Sequence, residues 1–94
     1  MKANKYKVIW TKKYKKSYDL CIKRGLDINL LDYIVFQLAN GQILDPHHKD
    51  HKLQGKYTGY RECHIQPNWL LIYKIEDDKL ILTLTNTGSH ADLF

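Results

Sequence analysis

The stretch that decides the fold is residues 60–87, YRECHIQPNWLLIYKIEDDKLILTLTNT. It contains three segments rich in β-branched and aromatic residues, at 60–66, 69–76 and 80–87, which is the composition of β-strands. The polar insert 77–79 between the last two segments is typical of a hairpin turn. The stretch therefore predicts a three-stranded antiparallel meander.

The residues before the meander predict one strand and two helices. Aromatic and β-branched residues alternate over 6–10, which indicates a strand. Residues 12–24 carry apolar side chains at helical spacing, with Thr11 as the N-cap. A second helix begins after Asp27 and ends at Asn40-Gly41. Its predicted core face consists of Ile28, Leu31, Ile34, Val35 and Leu38.

These segments define an α+β fold: an N-terminal strand, two helices and the three-stranded meander. We expect the helices to pack on one face of the sheet. Residues 42–59 contain Gly, Pro and many polar side chains, which predicts a long loop, and 89–94 reads as a short tail. No repeat or linker divides the chain, so the prediction is a single domain spanning 1–94.

The charge balance favours a polyanionic partner such as nucleic acid. The 94 residues include 15 Lys and Arg but only 10 Asp and Glu, which gives a formal net charge of +5. Four lysines lie in the first turn of the first predicted helix, where positive charge opposes the helix dipole: Lys12, Lys13, Lys15 and Lys16. Contact with phosphates and a merely solubilising basic surface both explain this pattern.

Two cysteines, Cys21 and Cys63, lie far apart without a paired spacing. This argues against a disulfide framework, so we expect two buried thiols in a reducing compartment. No apolar run reaches the ~18 residues that a membrane-spanning helix needs. The sequence therefore predicts a soluble cytoplasmic protein without a membrane partner.

All five histidines lie in the second half of the chain, and three of them are candidates for one site. His51 belongs to the predicted loop, His64 to the first meander strand and His90 to the tail. RNA cleavage by a neighbouring 2′-OH needs a base for that hydroxyl and an acid for the leaving 5′-oxygen. Imidazole can serve as either near neutral pH. This chemistry requires neither a metal nor a cofactor.

Other functions for these residues stay open. The same histidines, with His47, His48, Asp50 and Cys63, offer enough ligands for zinc, although the spacing matches no familiar zinc pattern. They could also be inert surface residues. Trp69 and Phe94 could stack on unpaired bases or belong to the core, and for Trp69 the pattern alone favours the sheet core. Asn68 could simply support a turn.

Three motifs in order resemble one known family. They are KDHKLQG at 49–55, GYRECHIQPNWLLIY at 59–73 and TGSHADLF at 87–94. The chain is similar to the YafQ-type mRNA interferases of the RelE/ParE superfamily, the toxins of type II toxin–antitoxin systems. The resemblance implies a RelE-like fold and a toxin that cuts mRNA in the ribosomal A site. It also implies contacts with ribosomal RNA and silencing by a cognate antitoxin, in a complex that can bind operator DNA.

Carried over by residue, the resemblance makes His51, His64 and His90 catalytic, with His90 as proton donor to the leaving group. Trp69 and Phe94 match positions that shape the site and hold the substrate. Further substrate contacts are expected from Asn68, Arg61, Lys49 and Lys52. Arg61 has a structural alternative, an ion pair with a helix carboxylate that holds the sheet in place.

Two asparagines depart from the family pattern. Asn68 stands where the family often has Asp, which leaves the role of base to His51 or His64. Asn86 stands where the family often has a cation suited to the transition-state phosphate, so Arg61, Lys49 or Lys52 would have to compensate. Both departures keep an alternative open: a catalytically weak binding module, either a ParE-like gyrase inhibitor or a co-repressor acting with its antitoxin.

Overall fold

The computed structural model describes residues 4–94, which form a mixed sheet with helices on both faces. The elements are β1 (Lys7–Trp10), α1 (Lys12–Lys23), α2 (Ile28–Ala39), β2 (His51–Lys52), β3 (Arg61–Gln66), β4 (Trp69–Glu76), β5 (Ile81–Gly88) and α3 (His90–Leu93). Within this range the sheet has five strands in the order β1-β5-β4-β3-β2. The predicted α+β class is confirmed.

The antiparallel meander of β3, β4 and β5 forms the centre of the sheet, as predicted. The N-terminal strand β1 runs parallel to β5 at one edge of the sheet. The predicted long loop also contains an element that the sequence did not indicate. Strand β2 pairs with β3 at the opposite edge and places His51 beside Glu62.

The two long helices begin at the predicted caps. The hydroxyl oxygen of Thr11 accepts a hydrogen bond from the backbone N–H of Tyr14 at 3.0 Å. The Asp27 carboxylate accepts one from the N–H of Asn29 at 3.1 Å. Each satisfies one of the otherwise unpaired N–H groups of a first helical turn. No helix within residues 4–94 is long and apolar enough to cross a membrane.

The larger hydrophobic core lies between the sheet and the two long helices. It includes Tyr14, Leu71 and Tyr73, all of which are almost completely buried. Among the predicted core residues of α2, three are buried: Leu31, Ile34 and Leu38. The other two, Ile28 and Val35, are only partly buried and pack against the margin of this core.

A second, smaller apolar cluster covers the opposite face of the sheet. Leu70, Ile72 and Leu93 are its buried members, and Leu93 belongs to α3. The expectation that helices lie on only one face, and that 89–94 is an irregular tail, is therefore wrong. The C-terminal residues fold back onto the sheet because Leu93 buries its apolar side chain against Leu70 and Ile72.

Both cysteines are free thiols, as predicted, and both are buried in the larger core. Burial disfavours the charged thiolate, which raises the pKa of each thiol. Neither sulfur therefore has the depressed pKa that a nucleophilic cysteine requires. They act as small apolar side chains in this fold.

Candidate active site

The three candidate catalytic histidines share the sheet face opposite α1 and α2. Glu62 and His64 are two residues apart in β3 and point to the same side, as period-two alternation requires. His51 pairs with Glu62 in register, and His64 with Leu70 of the smaller cluster. The fold thus brings together residues from the edge strand β2, the neighbouring strand β3 and the C-terminal helix α3.

His64 and His90 form an imidazole pair at this face. Their ring centroids are 6.2 Å apart in an edge-to-face arrangement. The ring of Phe94 lies 6.1 Å from that of His90 and also contacts Tyr57, with a centroid distance of 5.6 Å. Phe94 is 59% exposed, so an aromatic face remains available beside the histidine pair.

Backbone carbonyls orient two of the imidazoles. The Nδ1–H of His51 donates to the carbonyl oxygen of Lys49 at 2.6 Å. The Nδ1–H of His64 donates to the carbonyl oxygen of Pro67 at 3.3 Å. A carbonyl can only accept, so each Nδ1 carries the proton. The neutral form of each ring therefore has a lone pair on Nε2, as a general base needs.

Glu62 is a site residue that the sequence analysis missed. It is 4% exposed, and its Oε1 lies 3.7 Å from Nε2 of His51 and 3.8 Å from Nε2 of His64. A carboxylate at these distances stabilises positive charge on either ring. The alternation of Glu62 and His64 along a predicted strand was a readable signal, whereas the pairing with His51 was not.

The C-terminal helix fixes the position of His90. Ser89 is its N-cap and forms a capping box with Asp92. The Asp92 carboxylate also accepts two hydrogen bonds from the Arg24 guanidinium, at 2.7 and 3.3 Å. Arg24 and the Ser89 N–H lower the pKa of Asp92 to about 2. Residue 24, just beyond the end of α1, is thereby tied to the helix that carries His90.

Asn68 in the β3–β4 turn and Trp69 at the start of β4 differ in their exposure to solvent. Asn68 is exposed, and its Oδ1 lies 3.5 Å from the backbone N–H of His90, next to the histidine pair. Trp69 is only 2% exposed, and its indole N–H donates to the hydroxyl of Thr87 at 3.0 Å. The Trp69 ring therefore packs in the larger core, and its stacking on a base stays a prediction.

The three cations expected to contact RNA, Arg61, Lys52 and Lys49, lie in different places relative to the histidines. Arg61 lies on the opposite sheet face from His64 and pairs at 3.2 Å with Asp50, a residue of the loop before β2 rather than of a helix. Its contact with RNA stays a prediction. Lys52 pairs with Arg61 in register and is exposed, and its contact with RNA also stays a prediction. Lys49 is exposed and lies two residues before His51. Its backbone carbonyl accepts the hydrogen bond from the His51 imidazole.

Asn86 does not face the histidines. It is 7% exposed, and its Oδ1 accepts hydrogen bonds from the Ser17 hydroxyl at 2.5 Å and the Thr87 N–H at 2.9 Å. Asn86 therefore connects β5 to α1. Its amide satisfies buried polar groups, which a long cation at this position could not do in the same space.

The zinc alternative gains no support from the described part of the chain. His47 bonds to Asp45 through Nδ1 at 2.6 Å, and His48 donates to the carbonyl of His64 at 2.6 Å. Within residues 4–94, no group of three or more His, Cys, Asp or Glu side chains is arranged to hold a metal ion.

Comparison with known proteins identifies the family. A family model described as the bacterial toxin of the type II toxin–antitoxin system, YafQ, matches residues 6–94. The chain belongs to the YafQ toxin family. The Escherichia coli K12 protein named mRNA interferase toxin YafQ is 44% identical over 82 residues, which cover 86% of this chain and 87% of that protein.

Solved structures of YafQ toxins share the fold along almost the whole chain. The crystal structure of YafQ from E. coli BL21(DE3) is 37% identical, has a TM-score of 0.89, and is matched over 95% of this chain and 98% of that one. The structure of the E. coli DinJ-YafQ toxin-antitoxin complex is 40% identical with a TM-score of 0.88, covering 96% of this chain and 98% of that one.

Proposed function

We propose that this YafQ family member is an mRNA interferase, an endoribonuclease that cleaves mRNA in the ribosomal A site. The observation that carries the proposal is the pair formed by His64 and His90, whose ring centroids are 6.2 Å apart on the sheet face opposite the long helices. Membership in a toxin family with an E. coli relative named an mRNA interferase supports it.

The pair supplies both proton transfers of 2′-OH attack. His64 Nε2 takes the proton of the 2′-hydroxyl as that oxygen attacks the adjacent phosphorus, because Nδ1 is engaged with Pro67. His90 donates a proton to the departing 5′-oxygen, which leaves a 2′,3′-cyclic phosphate and a 5′-hydroxyl. Bases of RNA can stack on Phe94 beside His90.

His51 and Glu62 assist the base. The Glu62 carboxylate lies within 4 Å of both His51 and His64, so it stabilises the imidazolium that forms when either ring accepts the proton. His51 is a second candidate base, because the same Glu62 carboxylate lies 3.7 Å from its Nε2. No metal takes part in this reaction.

Basic residues favour contact with ribosomal RNA. The first-turn lysines of α1 are exposed, and α1 lies on the sheet face opposite the histidines. Phosphates of a surrounding RNA can thus be contacted on one side of the molecule while mRNA is bound on the other. The A site is a pocket enclosed by RNA, and we place the activity in the cytoplasm, where ribosomes act.

A protein antitoxin is the second proposed partner. E. coli YafQ has been solved in a toxin-antitoxin complex with DinJ, and it shares this fold at a TM-score of 0.88. We propose that a cognate antitoxin binds and silences this chain in the same manner, and that the complex binds operator DNA.

Primer extension on an mRNA translated in a purified bacterial system tests the proposal. Wild-type protein should produce discrete A-site cuts, whereas His90→Ala should produce none while remaining folded. His47→Ala is the matched control, because it removes an exposed imidazole that is bonded to Asp45 instead. Intact mRNA with folded wild-type protein, or cutting by His90→Ala, would contradict the proposal.

A further inference from the structure

A cavity of about 530 Å³ lies beside the histidine site, at the turn between β3 and β4. Its lining includes Arg24, Leu26, Gln66, Pro67, Asn68 and Ser89. Asn68 and Ser89 connect it to the chemistry, because Ser89 precedes His90 and Asn68 approaches the His90 backbone N–H at 3.5 Å. The cavity wall therefore includes the residue that directly precedes His90, the proposed proton donor.

We propose that this cavity binds one unpaired nucleobase, that of a nucleotide next to the scissile phosphate, and that it determines the sequence preference of cutting. The inference rests on the proposed function, since it places an RNA strand across His64 and His90. It assigns a specificity role to Gln66, which lies at the end of β3 outside the catalytic set.

The lining has the chemistry that a nucleobase requires. The volume lies within the ~300–1,000 Å³ of small-molecule pockets, and Leu26 and Pro67 provide apolar surface for the faces of a planar ring. The side-chain amides of Gln66 and Asn68 each offer both a donor and an acceptor, which is what hydrogen bonding to a base edge needs. Unpaired RNA bases are recognised by such a combination of stacking and edge contacts.

Arg24 adds a fixed positive charge at the cavity wall. Its guanidinium is held by the Asp92 carboxylate through two hydrogen bonds, at 2.7 and 3.3 Å, so it is oriented before RNA binds. Arg24 is also half-exposed, with 46% of its side-chain surface accessible. A guanidinium has five N–H donors, so one that is engaged with a carboxylate can still present a face or an edge to a base or phosphate.

Binding is tested directly with RNA that cannot be cleaved. Trinucleotides carrying 2′-O-methyl groups, one for each of the four bases, are titrated into isotopically labelled protein and followed by NMR. At least one should shift the side-chain NH₂ signals of Gln66 and Asn68 together with the Arg24 Nε–H signal. Gln66→Ala should weaken that binding by about fivefold or more, as expected for loss of one paired base contact.

Gln42→Ala is the matched control, because it removes an exposed glutamine from the loop after α2. The same variants are compared for the sequences at which they cut mRNA. Gln66→Ala should relax the base preference at one fixed position relative to the cut, because cutting should slow most at the preferred sequence. Gln42→Ala should cut like wild type.

The two measurements separate this inference from the proposed function. If the NMR signals at the cavity shift but the wild-type protein cuts no mRNA, the proposed nuclease activity is contradicted and the proposed nucleobase site is supported. Normal cutting without cavity shifts, or with an unchanged sequence preference in Gln66→Ala, would overturn the base site and retain the nuclease.

Discussion

The two faces of the sheet use their residues in different ways. The face toward α1 and α2 buries a continuous aromatic and aliphatic core that includes Tyr14, Leu71 and Tyr73. Within residues 4–94, the smaller cluster between the other face and α3 has three buried apolar members, and beside it lie the polar side chains of His51, Glu62 and His64. Stability comes mainly from the first face, which leaves the second free to carry reactive groups.

This division follows from the alternation of side chains along a strand. In β3, Cys63 enters the larger core while Glu62 and His64 point to the opposite face. A single strand can therefore be both a structural support and a source of catalytic groups. The prediction is that substitutions on the two faces separate stability from activity.

The largest expected effect is on the histidine face. His64→Gln should lower the rate of mRNA cutting by about 10²–10⁴-fold, because it removes one partner of the acid–base pair. The midpoint of thermal unfolding should change little, since glutamine is polar and of similar length. Cleavage kinetics and circular dichroism measure the two quantities, and a loss of activity that merely follows unfolding would contradict the division between faces.

Adjacent leucines of β4 compare the two faces directly. Leu71 and Leu70 are both 0% exposed, but Leu71 belongs to the larger core and Leu70 to the smaller cluster. Leu71→Ala should lower the free energy of unfolding by about 3–5 kcal/mol and Leu70→Ala by about 2–3 kcal/mol. Urea denaturation measures both. Equal losses would show that the faces contribute similarly to stability.

Glu62→Gln tests the carboxylate between the two histidines. It retains the shape of the side chain and removes its charge, so the rate of cutting should fall by about tenfold. The free energy of unfolding should stay unchanged or rise, because a buried charge is costly to desolvate. Cleavage kinetics with Glu62→Asp as a partial rescue distinguish this role from packing. An unchanged rate in Glu62→Gln would exclude electrostatic assistance.

The smallest expected effect concerns the Arg24–Asp92 pair. The pKa of Asp92 is lowered to about 2 in the folded protein, so the pair stabilises the fold above roughly pH 4 and this contribution is lost as the pH falls toward 2. Arg24→Ala should therefore lower stability above that range and converge with wild type near pH 2. Lys23→Ala, at a neighbouring exposed cation, should not.

Unfolding curves of the three proteins between pH 2 and pH 6 check this prediction. A difference between wild type and Arg24→Ala that persists unchanged at the lowest pH would mean that Arg24 acts through packing rather than through Asp92. The same variant should also cut mRNA more slowly, because α3 carries His90 and is held by this pair.

Periodicity and capping residues made most of the fold predictable. The three meander strands, both long helices and the caps Thr11 and Asp27 were readable because each extends over several residues with a consistent pattern. Strand β2 has only two residues, and its formation depends on pairing with β3 rather than on any local pattern. A short helix such as α3 has too few residues for a hydrophobic period, although Ser89 and Asp92 have the spacing of a capping box.

The sequence was enough to propose three histidines for one site, but not to find the residues that support them. Chemistry and family resemblance selected His51, His64 and His90, whereas the faces occupied by Arg61 and Lys52 depended on the register of β2 and β3. Trp69 follows a turn at which the β3–β4 register shifts, but the strand pattern already favoured the sheet core, where its ring packs. Register is a tertiary property, and a single sequence does not specify it locally.

The end groups of the cleaved mRNA test the central claim most directly. Mass spectrometry of the products should find a 5′-hydroxyl on one fragment and a 2′,3′-cyclic phosphate, or the 3′-phosphate formed by its hydrolysis, on the other. A 2′-deoxy substitution at the cut position should prevent cleavage there. A 5′-phosphate with a free 3′-hydroxyl, or cutting at the 2′-deoxy position, would contradict the assignment of His64 and His90 as base and acid for 2′-OH attack.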